Sequence, residues 1–497
     1  MEFGLSSPSL RSTDPAQREA AQKRSSDHPA CLRRIHDSLL LEEGQTFPRE
    51  GDRVPMHRSR GRAWAALFLL LAVGGLALTI QLGGGVLAQE KPAIFSTADV
   101  LLARVSQVTG LPVKDPVQKQ LISRAEIRTY LAQSLHAEYT PQELHVQEAS
   151  LQAFGLVPPD FNLEEFLLGF YSEQAAGFYD PRRKTLFLTA DLPPEMQTLV
   201  LAHELTHALQ DQHFDLQKFL RAERANDDAT NARQALAEGH AMATAVQILI
   251  QPLELSSLPD LGPIMAKTLQ QQTGSFPAFS SAPAFLRVQV VFPYLEGVDF
   301  VRTLVAQGGW QKANDAFRQP PATTQEIFEP KVYLGTKPLA KLELPQPRLL
   351  AQLPERVILT ENVLGQLGYY GLLDQLISED EAKAVAPHWV ADRYIIYERK
   401  PAGAASAPAP DSRGYVLVSR VRWARPEAAQ TFFRDYQTIL WKKYTELTSD
   451  PRSGRDLFLG SAAQGSLMLL RKGNECLWVE GVPTTEAEAM LNWLRSL

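Results

Sequence analysis

Cysteine is nearly absent from this chain of 497 residues. Cys31 and Cys476 are the only two, and they fall on opposite sides of a long apolar run, so no disulfide is expected. No cysteine follows that run closely enough to suggest a lipoprotein. An excess of positive charge is missing as well. The net charge is −6, and the part beyond residue 88 carries about −8, which argues against a nucleic-acid partner. What remains is a globular composition: 44% apolar and 21% charged residues can bury a sizeable core, and the length beyond residue 88 suggests two domains.

The apolar run extends from Ala63 to Ile80, 18 residues without a charge, with Arg58, Arg60 and Arg62 before it and Val86-Leu87-Ala88 soon after. A basic flank, an apolar stretch and small residues at a cleavage point are the marks of a secretory signal, and cleavage after Ala88 would leave Gln89 first. The other reading is an uncleaved signal anchor, since 18 residues is at the lower edge of a membrane span. In both cases the arginines stay cytoplasmic and the body is expected outside, whether periplasmic, secreted or held at the membrane by this segment. Residues 1–55 are polar and without clear periodicity. They read either as a disordered extension or as a mis-assigned start, because beginning at Met56 gives residues 56–88 an ordinary short basic lead.

The chemistry is concentrated in Leu199-Val200-Leu201-Ala202-His203-Glu204-Leu205-Thr206-His207-Ala208-Leu209-Gln210-Asp211, an H-E-x-x-H inside a helical pattern. Residues four apart on a helix lie about 40° apart around its axis, so His203 and His207 can share one ion. Glu204 lies roughly 100° round from His203 and is left free to hold a water. Asp191, with Pro193, Pro194 and Glu195 behind it, is the expected N-terminal cap of that helix.

A catalytic zinc takes three protein ligands and one open position. The third candidate is Glu238, 31 residues after His207 in the small-residue run Ala235-Leu236-Ala237-Glu238-Gly239-His240-Ala241 of a second predicted helix over 227–251. His240 competes for the role, but it lies about 200° round from Glu238, so one of the two faces the metal.

His203-Glu204-Leu205-Thr206-His207 through Asp211, with a glutamate on a following helix, resembles the gluzincin zinc metallopeptidases, of which thermolysin is the familiar member. The resemblance implies zinc held by His203, His207 and Glu238, with Glu204 as general base and peptide or protein as substrate. It also implies that Asp211 steadies a ligand imidazole, although Met242 stands where some gluzincins have a further acid. Residues 169–188 read as a hairpin with its turn at 180–184. In gluzincins such a strand lies along the cleft, which implies that Gly177, Phe178 and Tyr179 line it. Tyr294 and His240 are candidate donors to the oxyanion. The segments 292–301, 308–310 and 320–327 resemble a family of bacterial proteins with the same zinc motif, over roughly 163–397.

Helices are predicted over 98–108, 116–135, 286–307 and 361–377, and a boundary near Pro387 separates domains 89–387 and 388–497. Beyond it, strands at 392–397, 414–423, 466–471 and 476–479 alternate with helices at 426–444 and 485–494, with a flexible insertion at 401–410. The expected fold is thus α+β: a mainly helical zincin-like domain with a small hairpin before the zinc helix, then a small α+β domain. The activity expected is peptide hydrolysis by a zinc-activated water. The alternative is an inactive cell-envelope binding or assembly protein with a structural zinc, in which Glu204 would have no task.

Overall fold

The structure, a computed structural model, describes residues 91–174, 176–189, 191–262, 264–267, 276–335, 340–351, 356–399 and 414–497. The apolar run, the cleavage point, the segment before them and the insertion at 401–410 lie outside these residues. Among the described residues no helix is long and apolar enough to cross a membrane.

The fold is mixed α+β, with a helical body and a separate C-terminal sheet. The body begins with α1 (Lys91–Thr109), β1 (Gln118–Ile122), α2 (Arg124–Glu138), α3 (Pro141–Ala153) and α4 (Leu163–Gln174). A hairpin of β2 (Gly177–Asp180) and β3 (Thr185–Thr189) leads into α5 (Pro194–Phe214), which carries the H-E-x-x-H. After α6 (Leu216–Arg221) comes α7 (Asp227–Ile250), then the long α8 (Ala284–Asp315) and the short α9 (Thr324–Phe328).

Three local expectations change before and within the metal-site hairpin and helix. The helix predicted over 116–135 is a strand followed by a helix: Gln118–Ile122 pair in parallel with β3, and Ser123 and Glu126 form a capping box that starts α2. Pairing with a strand more than sixty residues away decides this, and no local pattern carries that information. The hairpin is shorter than expected, because 169–174 belong to α4. Asp191 does not cap α5; Pro193 occupies that position, and the Asp191 carboxylate instead pairs with Arg124 Nε at 3.1 Å.

The C-terminal sheet is antiparallel throughout, in the order β4-β5-β6-β10-β9-β8-β7. Its strands are β4 (Arg356–Asn362), β5 (Trp389–Arg399), β6 (Val416–Trp423), β7 (Thr448–Ser449), β8 (Leu457–Ala462), β9 (Gly465–Lys472) and β10 (Glu475–Val482). The helix predicted from 361 begins four residues later, as α10 (Gly365–Leu376), because Glu361 and Asn362 complete β4. A short α11 (Glu379–Val385) follows, and α12 (Pro426–Lys443) and α13 (Ala487–Ser496) complete the set. Alternation along the strands sorts side chains between two faces. Leu417, Val421, Trp423, Cys476 and Trp478 join α12 and the core of the helical body, while Val416, Val418, Leu477 and Val479 pack under α13.

The metal-site helices are held by close backbone contact. At the crossing of α7 and α8, a Cβ on Gly239 would lie 2.1 Å from Gly297 O, and one on Gly297 would lie 2.2 Å from Ala235 O. These two glycines let the helix that bears Glu238 sink against its neighbour.

Candidate metal centre

Burial sets the terms of this site. Every residue of α5 from Leu199 to Asp211 is buried, so the two histidines and Glu204 sit in a helix surrounded by protein rather than on a surface. Asn226 accepts from Ala229 N and caps α7, which then brings Glu238 to the same point, also buried.

Three donor atoms converge. His203 Nε2 and His207 Nε2 are 3.0 Å apart, and Glu238 Oε2 lies 3.2 Å from the first and 3.4 Å from the second. Ligands held at 2.0–2.1 Å in tetrahedral directions are separated by about 3.3 Å, so the triangle has the size that one small cation requires. Glu238 Oε2 has no aligned hydrogen bond among the described residues, although it is buried. A buried carboxylate oxygen without an aligned hydrogen bond, facing two imidazole nitrogens, fits a cation. Burial works to raise the Glu238 carboxyl, but the charge of His207 beside it prevails and lowers it to about 2. Among the described residues these three form the one group of acidic, histidine or cysteine side chains close enough to hold a metal.

Glu204 points elsewhere. Its Oε2 accepts the backbone N–H of Tyr179 at 2.9 Å, and its Oε1 is buried with no partner among the described residues. Burial lifts this carboxyl to about 8 in the metal-free chain. A divalent cation nearby acts in the opposite direction and favours the carboxylate.

The strand that supplies the N–H is β2, which lies at the edge of the three-stranded sheet among the described residues and is buried along its length beside Glu204. Phe178 turns the other way, its ring 4.9 Å from Phe187 and 5.0 Å from Tyr130 in the core, so it does not line a cleft. Alternation explains this, because successive residues of a strand face opposite sides.

Two further expectations are corrected. Asp211 does not steady an imidazole: its carboxylate accepts the Tyr179 hydroxyl at 3.0 Å and the Leu216 N–H at 3.2 Å. Gln210 takes that role, with its Oε1 2.9 Å from His207 Nδ1. The signal was present, since positions three apart on a helix are neighbours as much as positions four apart. His240 is neither ligand nor oxyanion donor, because its ring lies behind Gln210, between Trp310 and Phe317.

Tyr294 does reach the site. Its ring centroid is 6.3 Å from that of His203, and its hydroxyl is buried without a hydrogen-bond partner among the described residues. Burial, reinforced by the charge of Glu238, keeps this phenol protonated far above the ordinary range. Tyr171, which sequence reasoning missed, is raised by the same two causes in the same order.

Residues 125–251 match the family described as "Putative metallopeptidase family". That segment runs from α2 to the end of α7 and holds all three ligands, Glu204 and the hairpin. The match is consistent with a metallopeptidase, and the buried His-His-Glu group points to a metal ion. Residues 355–491, which include the whole C-terminal sheet, match a domain of unknown function. No curated protein and no solved structure matches the chain.

Proposed function

We propose that this protein is a zinc metallopeptidase of the gluzincin type that works outside the cytoplasm. The observation that carries the reading is the triangle of His203, His207 and Glu238 beside a glutamate with one free oxygen. Two imidazoles and one carboxylate are the donor set of a catalytic zinc with an open position. When bound there, zinc supplies Lewis acidity, which polarises the scissile carbonyl and acidifies a water.

The protein groups do the rest. Glu204, oriented by the Tyr179 N–H, takes the proton from the attacking water on its free oxygen and passes it to the leaving amine. Tyr294 donates its hydroxyl to the oxygen that becomes negative, for which a neutral phenol is suited. A purely structural zinc would leave the second, unbonded oxygen of Glu204 without a purpose, which separates this reading from that of a binding protein. The basic flank and apolar run at 58–80 support export, with membrane attachment if the segment is retained.

The purified protein should carry about one zinc per chain after dialysis, measured by elemental analysis, and His203→Ala and Glu238→Ala should lose most of it. A parent without zinc would overturn the proposal. Tyr294→Phe should keep the metal and the fold while lowering kcat about 100-fold with little change in KM, since the lost bond forms chiefly in the transition state. An unchanged kcat in steady-state assays would remove Tyr294 from the mechanism.

A further inference from the structure

Behind His207 runs a buried chain of side-chain amides and an imidazole that reaches the far end of α1. His207 Nδ1 meets Gln210 Oε1 at 2.9 Å, and Gln210 Nε2 lies 2.9 Å from Ala237 O and 3.2 Å from His240 Nδ1. His240 Nε2 is 3.2 Å from Asn314 Oδ1, and Asn314 Nδ2 donates to Thr109 O at 2.8 Å. All six residues, His207, Gln210, Ala237, His240, Asn314 and Thr109, are buried.

The two backbone carbonyls fix every proton. A carbonyl only accepts, so Thr109 O demands the amide nitrogen of Asn314 and turns its oxygen to His240, which must therefore carry its proton on Nε2. His240 Nδ1 is then an acceptor. Together with Ala237 O it demands the nitrogen of Gln210, whose oxygen is left for His207. His207 must carry a proton on Nδ1, which leaves Nε2, the atom facing Glu238 and His203, as the one that gives its lone pair to a metal. The other ligand has no such support, for His203 Nδ1 is without a hydrogen-bond partner among the described residues.

The sequence spends special residues on this arrangement. Gly308 and Gly309 interrupt α8, and Gly309 adopts φ 68°, a region open to glycine, so the last turns of the helix swing back to present Trp310 and Asn314 to His240. Trp310 and Phe317 meet the His240 ring edge to face, at 5.6 and 5.4 Å, and hold its plane.

We infer that Gln210, His240 and Asn314 are positioning residues that set the tautomer and direction of His207 for metal binding. His240 acts on the metal through Gln210, without touching it. The inference rests on the proposed metal site and adds the device that prepares one ligand for it. Outer partners of ligand histidines commonly govern affinity by 10–100-fold.

The test is a competition titration of zinc against a chromophoric chelator, with thermal unfolding of each metal-free variant as the check on folding. Gln210→Met should weaken zinc binding by about 10–100-fold, and His240→Leu by about 10-fold, with metal-free unfolding close to that of the parent. His240→Asn, whose amide oxygen can stand where Nδ1 stands, should recover most of the loss. Parent-like zinc affinity in folded Gln210→Met overturns the inference and leaves the metal site intact. If the parent itself binds no zinc, the proposed function fails first, and the relay is then judged by nitrogen-15 NMR of histidine-labelled protein. A neutral His240 protonated on Nε2 supports it, and a proton on Nδ1 overturns it.

Discussion

Glu204→Gln should leave zinc content unchanged and lower kcat about 10⁴-fold, the upper end of what a general base contributes. Shape is conserved by the change: an amide oxygen can still accept the Tyr179 N–H that Glu204 Oε2 accepts at 2.9 Å, so strand and helix keep their places. What is lost is the buried, partnerless Oε1 as a proton acceptor. None of the three ligand atoms belongs to Glu204, so metal binding and catalysis should separate cleanly. Rates on a peptide library, with metal content measured on the same samples, check this. Turnover within tenfold of the parent would mean that another group takes the proton, and the assignment of Glu204 would be abandoned.

Gly239→Leu should cost about 3 kcal/mol or more of stability and remove the metal together with the fold of the site. Already at Cβ the new side chain meets backbone, 2.1 Å from Gly297 O and 2.2 Å from Gly297 C, and backbone cannot rotate out of the way as a flexible side chain can. The helices must part, and Glu238 is the very next residue on α7. A shift of even 1 Å at the crossing takes its carboxylate out of the triangle with His203 and His207. Chemical denaturation and zinc analysis of the variant should show both effects. A variant that melts like the parent would show that the crossing has slack.

Much of the site could be read from the sequence, because its logic is local. His203 and His207 are one helical turn apart, and Glu238 stands out as a carboxylate among small residues. The segments noted at 292–301, 308–310 and 320–327 acquire reasons in the fold: Tyr294 and Gly297 lie at the site and the crossing, Gly308-Gly309-Trp310 forms the bend, and Thr324 binds Asp228 at the start of α7. Gln210 and Phe178 were legible locally, by helical spacing and strand alternation, while other differences are non-local. Asp211 looked like the partner of an imidazole until the hairpin placed the Tyr179 hydroxyl on it. β1 and β4 are not legible locally because their strand character comes from distant pairing, whereas β7 is only two residues long and β8, which pairs with β9 across a tight turn, carries Gly460 and Ser461 within its six residues.

Tyr179 fastens the strand to α5 twice, by its N–H to Glu204 and by its hydroxyl to Asp211. Those two acids are seven residues apart, about 10 Å along one face of the helix. A strap riveted at two points can neither pivot nor slide. Glu204 therefore keeps a constant offset from β2 as the surrounding helices breathe, and the ruler for that offset is the covalent frame of a single tyrosine.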